Sequence, residues 1–194
     1  MKKKLNLKDS VRNFANDLDG AFKKRKYVVF LCGPTLDLAG KPEDKDKSAA
    51  LRKRIKEELE EDGFDVVLGE DEGLEYLRKK YGGMAHENEL SFIQEQSNTV
   101  LLIASSVGSF CELGLFSHQH VHENARRTDF ILIMDEQYKD DISYINEGPA
   151  KAIRDYGELV HGDFSKFDTQ AIMERLKNRR HVWFTSSKGR PVGS

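Results

Sequence analysis

The chain has 194 residues, 33% of them charged and 38% hydrophobic, with a formal net charge of −2. That length supports one full core, and the near-neutral balance lacks the basic excess of a general nucleic-acid binder. The longest apolar runs are about six residues, far below the ~20 that a membrane helix needs.

In chain order, the first predicted element is a helix over 9–24, with Val11, Phe14, Leu18 and Phe22 on one face. Tyr27 to Cys32 is a continuous apolar run, the pattern of a strand buried on both faces, and Gly33-Pro34 ends it. Residues 35–47 read as a polar loop with Gly40 and Pro42. Ser48 is placed to cap a helix whose stripe is Leu51, Ile55 and Leu59, closed by Gly63 as a left-handed C-cap. The second strand is Phe64 to Leu68, followed by the acidic loop Gly69-Glu70-Asp71-Glu72. A third helix runs from about Glu87 to Gln96, the third strand over 99–104, and a helix carrying Glu112 to about Ala125. Asp129 to Met134 is the fourth strand, Pro149 opens the next helix as its first residue, and Glu158 to His161 forms a short fifth strand. The last helix spans 167–180, with a short apolar piece, His181 to Phe184, after it. Strands alternating with helices over short connections predict an α/β fold: a doubly wound, Rossmann-like or flavodoxin-like, mostly parallel sheet of about five strands with helices on both faces. The expected organisation is a helical extension (1–26), a catalytic domain (27–184) and a tail (185–194).

Loops after the carboxyl ends of such strands share one edge, where ligands bind. Four of them stand out: Cys32-Gly33-Pro34-Thr35, Gly69 to Glu72, Ser105 to Glu112, and Asp135 onward to Asn146 and Pro149. The third is a small-residue turn, with Gly108 and Ser109, between a buried strand and a helix. It offers backbone N–H groups to an anion or a sugar oxygen. Glu112 is expected in the first turn of that helix, where a carboxylate suits chemistry at a sugar carbon that becomes cationic. The same position has a plainer use, since acidic residues meet the helix dipole there. No Gly-x-Gly-x-x-Gly or Gly-x-x-x-x-Gly-Lys signature is present. His118, His120 and His122 are not a metal motif, because only His118 and His122 share a helical face and no acidic residue completes a zincin pattern. Cys111 and Glu112 point about 100° apart on a helix, so one of them faces away from the site, and Cys111 is expected in the core. The two cysteines, Cys32 and Cys111, show no metal spacing and read as reduced thiols of a cytoplasmic chain. The start, Met1 to Asn6, has no apolar segment behind its lysines and does not read as a signal peptide.

Val29-Phe30-Leu31-Cys32-Gly33-Pro34, then Gly108-Ser109-Phe110-Cys111-Glu112-Leu113-Gly114 with Phe116-Ser117, then Ile145-Asn146-Glu147-Gly148-Pro149, resemble the nucleoside 2-deoxyribosyltransferase-like superfamily. The resemblance covers about residues 27–157 and is nearest to the deoxyribosyltransferase-like effectors encoded beside bacterial retrons, which act in phage defence. It implies N-glycosidic bond chemistry. Glu112 matches the essential glutamate, as nucleophile at the anomeric carbon or stabiliser of the oxocarbenium ion. Glu89, with Glu87 as competitor, matches a second acid near the leaving base. Gly33, Pro34, Glu70, Asp71, Gly108 and Ser109 fall on the substrate side, and Asn146 is implied to contact the sugar, in some relatives from a neighbouring subunit. Ser105-Ser106-Val107 stands where true transferases have an acidic loop, which points to hydrolysis rather than base transfer.

The expected function is therefore an N-glycosidase acting on a nucleotide-type substrate, NAD or a purine nucleotide, as a toxic antiphage effector. It would need no cofactor and no metal. Its expected partners are the small-molecule substrate, further copies of the chain, and a separate defence protein or nucleic-acid-containing complex, with no membrane. The rival readings are a nucleoside deoxyribosyltransferase or nucleoside monophosphate hydrolase of salvage, and a non-catalytic nucleotide-sensing module.

Overall fold

A computed structural model describes residues 7–24, 26–37, 46–71, 74, 76, 79–80, 82–124 and 128–185. Gly40 and Pro42 of the expected first loop, Glu72 of the acidic loop, Ala125 and the tail from 186 lie outside the described residues, as do the side chains of Leu18 and Phe22.

The elements are α1 (Leu7–Lys24), β1 (Val28–Cys32), α2 (Lys47–Glu61), β2 (Asp65–Leu68), α3 (Ala85–Glu95), β3 (Thr99–Ala104), α4 (Val107–Gln119, continued as a π-helical turn over His120–Asn124), β4 (Asp129–Asp135), α5 (Tyr144–Glu147), α6 (Pro149–Tyr156), β5 (Glu158–Gly162) and α7 (Gln170–Thr185). The five strands form one sheet in the order β2-β1-β3-β4-β5. Every neighbouring pair is parallel, with Leu31 opposite Leu101, Leu101 opposite Ile131 and Ile131 opposite Glu158. β3 is buried at all six positions, which is why its sequence shows no alternation: both faces of a parallel sheet are covered.

The covering layers follow from the period-2 alternation of the strands. On one face Leu31, Leu101, Ile103 and Ile131 pack with Leu51, Ile55 and Leu59 of α2 and with Ile172 and Leu176 of α7. On the other, Phe30, Leu102, Phe130 and Leu132 pack with Ile93 of α3, Leu113 and Phe116 of α4, and Ile153 of α6. The amino edge of the sheet is held by ion pairs. Asp129, almost fully buried, accepts from Arg175 Nε and Nη2 at 2.9 and 2.7 Å and from Arg179 at 3.0 Å. Tyr27 hydrogen-bonds Thr99 beside it at 2.9 Å.

Several boundaries differ from the sequence reading. Asp46, not Ser48, caps α2: its carboxylate accepts from the Ser48 and Ala49 amides, and Ser48 is buried within the first turn. α7 absorbs the apolar piece 181–184 as its last turn. In α1, Val11 and Phe14 of the expected apolar face are exposed. Gly63 is left-handed at φ 76°, as a C-cap requires, and Pro149 is the first residue of α6.

Candidate active site

Strand order reverses between β1 and β3, since the chain moves from β1 outward to β2 and then returns to the other side. The carboxyl edge at such a switch point is where open α/β sheets form their ligand crevice. A cavity of about 400 Å³ lies there, lined by Cys32 and Gly33 from the end of β1, Arg52 from α2, Gly69 and Glu70 after β2, Asn88 and Glu89 from α3, and Glu112 from α4. That volume is in the range of small-molecule sites.

Gly33 is needed at the end of β1. Its φ is +140°, and a Cβ would come within 3.0 Å of the Ile103 carbonyl oxygen and 3.2 Å of the Ile103 Cβ. Only glycine lets β1 turn off the sheet this close to β3. Beneath it lies Arg52, almost wholly buried. Its Nη1 donates to the Pro34 carbonyl at 3.0 Å and to Glu70 Oε1 at 2.6 Å, and its Nη2 donates to the Leu31 carbonyl at 2.7 Å and to Glu70 Oε2 at 2.8 Å. This two-pronged ion pair fixes the Glu70 carboxylate at the cavity wall. The Pro34 ring itself is buried, so its part is to offer a carbonyl to Arg52.

Glu112 is the sixth residue of α4, in the second turn rather than the first. The cause is the cap: Ser106 and Ser109 form a reciprocal capping box, which draws residues 107–110 into the helix. The helix-dipole use of an acidic first turn therefore does not account for Glu112. Its Oε2 is buried without a hydrogen-bond partner among the described residues. Burial, then the neighbouring Glu89 carboxylate, push its carboxyl up to about 7, with Arg52 opposing and Glu70 adding. Glu89 is raised too, first by burial, with His86 opposing and Glu70 adding. Glu87 is exposed and does not line the cavity, so the helix register of α3 selects Glu89 of the two. Burial raises both carboxyls, and the Glu89 charge adds to the rise at Glu112, the kind of environment that sets one carboxyl apart as an acid. Cys32, at the cavity floor, is held as a neutral thiol, its pKa raised well above the ordinary range by burial and then by Glu112.

The remaining expected residues serve the framework. Asp71 turns back to accept from the Leu68 amide at 2.8 Å. Ser109 is buried, its Oγ accepting from the Ser105 and Ser106 amides at 2.9 and 2.8 Å and donating to the Ser106 carbonyl at 2.9 Å. Gly108 is the second residue of α4; a Cβ there would meet nothing nearer than 3.9 Å. Asn146 donates to the Tyr138 and Asp141 carbonyls at 2.5 and 2.7 Å, bracing the loop before α5. None of Pro34, Asp71, Gly108, Ser109 and Asn146 lines the cavity. Cys111 is exposed rather than in the core. The His118 and His122 rings sit 4.5 Å apart between centroids, while His120 is buried with Nε2 3.1 Å from the Tyr156 carbonyl. Among the described residues, no group of three His, Cys, Asp or Glu side chains is placed to hold a metal ion. No helix among them is long and apolar enough to cross a membrane.

Two polar lining residues, Arg52 and Asn88, escaped the sequence reading. Arg52 had a faint signal, since 48, 52, 55 and 59 share the buried stripe of α2 and a cation on such a stripe needs a buried partner. Asn88 is marked only by adjacency to Glu89.

The fold and crevice define an α/β protein with a carboxylate-lined site at the switch point of a parallel sheet. The chain belongs to the STM3845 retron effector protein family, whose family model matches residues 48–189. A curated relative from Escherichia coli, a retron Ec86 protein provisionally described as a ribosyltransferase/DNA-binding protein, is 31% identical over 134 residues. The match covers 68% of this chain and 38% of that relative, so the chain spans well under half of the relative's length. No solved structure matches the chain.

Proposed function

We propose that this retron effector is an N-glycosidase of antiphage defence, which cleaves the bond between sugar and base in a nucleotide-type substrate, NAD or a purine nucleotide. The observation that carries this reading is the convergence of Glu112, Glu89 and Glu70, from three separate elements, on one cavity. The name of the Ec86 relative, with its ribosyltransferase description, points the same way.

In this reading Glu112 faces the anomeric carbon. As the C1′–N bond breaks, its electron pair leaves with the base; a purine takes a proton from Glu89 as it leaves, whereas nicotinamide, joined through a cationic nitrogen, leaves neutral and needs none. The negative charge on Glu112 stabilises the cationic sugar, directly or by a transient C1′–O bond. Water then adds to C1′ and returns its proton to the carboxylate pair. Burial raises both carboxyls, Glu112 to about 7, which favours keeping a proton beside the bond to be cleaved. Hydrolysis is favoured over transfer by the turn after β3: Ser105 and Ser106 spend their amides on Ser109 and bring no carboxylate to a second base. The reading includes a homo-oligomer and a separate defence partner, protein or nucleic-acid complex.

Purified protein incubated with NAD and a panel of nucleosides and nucleotides should release free base, resolved by chromatography. The Glu112→Gln variant should release none. Absence of free base from the whole panel, with the protein folded, refutes the enzyme reading in favour of a sensing module.

A further inference from the structure

Among the described residues, four buried side-chain nitrogen or oxygen atoms have no hydrogen-bond partner: Arg52 Nε, Asn88 Nδ2, Glu112 Oε2 and His161 Nε2. Three of the four belong to residues that line the one cavity at the β1/β3 switch point. Arg52 is already fixed through both terminal nitrogens. That leaves one orphaned donor, on Asn88, and one orphaned acceptor, on Glu112, both buried on residues that line the same cavity. The two do not bond each other, and a group that accepts from one and donates to the other would satisfy both. A sugar hydroxyl does both. Buried polar groups are otherwise almost always paired, and their exceptions gather where a ligand completes them.

Resting on the N-glycosidase reading, in which one oxygen of Glu112 faces C1′, the second oxygen lies toward the neighbouring carbon, C2′. We propose that Asn88 is a substrate-contacting specificity residue: its carboxamide N–H donates to the 2′-hydroxyl of the sugar, which in turn donates to Glu112 Oε2, so that the site selects ribosyl over 2′-deoxyribosyl N-glycosides. Asn88 and Glu89 are consecutive on α3, with Ala85 one turn before them on the same lining. α3 therefore carries the group that reads the sugar beside the acid that serves the base. A hydrogen bond from a sugar 2-hydroxyl to the carboxylate at the anomeric carbon strengthens as the carbon becomes cationic, so its loss is felt in turnover as well as in binding.

The test uses matched pairs of probes: adenosine and 2′-deoxyadenosine, AMP and dAMP, and NAD and its analogue lacking the nicotinamide-ribose 2′-hydroxyl. Binding is measured by calorimetry and base release by chromatography, for the wild type and Asn88→Ala. The wild type is expected to favour the ribosyl member of a pair by at least about tenfold, within the range that leaving a buried polar group unpaired produces. Asn88→Ala is expected to lose that factor on the ribosyl member and to leave the deoxyribosyl one within about twofold. Its melting temperature should equal or exceed that of the wild type, because the change removes an unpaired buried donor. Equal handling of both members by the wild type overturns the proposal, as does an equal loss on both in Asn88→Ala. Ribosyl preference in binding that depends on Asn88, without base release, upholds the contact and refutes the glycosidase reading. Base release without a ribosyl preference does the reverse, and failure of every probe to bind overturns both.

Discussion

Replacing Glu112 by Gln should inactivate the protein and, at alkaline pH, stabilise it. The carboxyl titrates near 4.5 in an unfolded chain and at about 7 in the folded one. Between those values the folded state holds more protons than the unfolded state, so stability falls as pH rises through this window. At 1.36 kcal/mol per pH unit, the full cost of ionising Glu112 in place is about 3 kcal/mol above pH 8. Gln has no charge to desolvate, but it leaves one buried polar atom unpaired much as Glu112 Oε2 is now, so the net gain is about 1–3 kcal/mol. For a chain of this size that is a rise of roughly 2–10 °C in melting temperature. At pH 5 the two proteins should melt within a degree or two, because Glu112 is then largely protonated. Base release should fall by on the order of 10² or more, since the charge opposite the developing cation is gone. Scanning calorimetry at pH 5, 7 and 8.5, beside the chromatographic assay, measures both effects. A Glu112→Gln protein that is less stable at pH 8.5 refutes the desolvation argument. One with near-normal turnover reduces Glu112 to a buried structural acid.

Arg52→Met removes a buried cation and its bonds to two main-chain carbonyls and leaves Glu70 partly solvated; it should cost about 2–4 kcal/mol and free the Glu70 side chain, seen as a lower melting temperature and weaker substrate binding. A melting temperature within a degree of wild type refutes the bracing role. Thiol titration of the native protein should count one reactive cysteine, Cys111, and two after denaturation, because Cys32 is buried and held neutral; two in the native state would place Cys32 at solvent. Light scattering at micromolar concentration should give a dimer or larger, for which the exposed Val107, Leu115, Ile142 and Tyr144 offer apolar surface; a 22 kDa species with full activity refutes the need for a second subunit.

The sequence by itself determined the α/β class. Unbroken apolar runs at 27–32, 100–104 and 130–134 are too short for helices and suit strands buried on both faces, and each is followed by a helical period. Pro149 and Gly63 marked a helix start and a helix end through backbone constraints that need no tertiary partner. Glu112, Glu70 and Gly33 were likewise legible as residues of one edge, because the carboxyl ends of parallel strands must share one side, while Glu89, on a helix, was legible only through the family resemblance. Only the tertiary structure decided how each polar group is spent. Ser109, Asp71 and Asn146 have the chemistry of ligand contacts, yet backbone amides and carbonyls within a few residues claim them first. The start of α4, and with it the depth of Glu112 in the helix, turned on a reciprocal cap between two serines. The role of Arg52 was fixed only when α2 docked across β1 and set its guanidinium against Glu70, eighteen residues on. A period shows which face of an element is buried. Strand order and register decide what that face meets, and both arise from contacts between segments far apart in the chain.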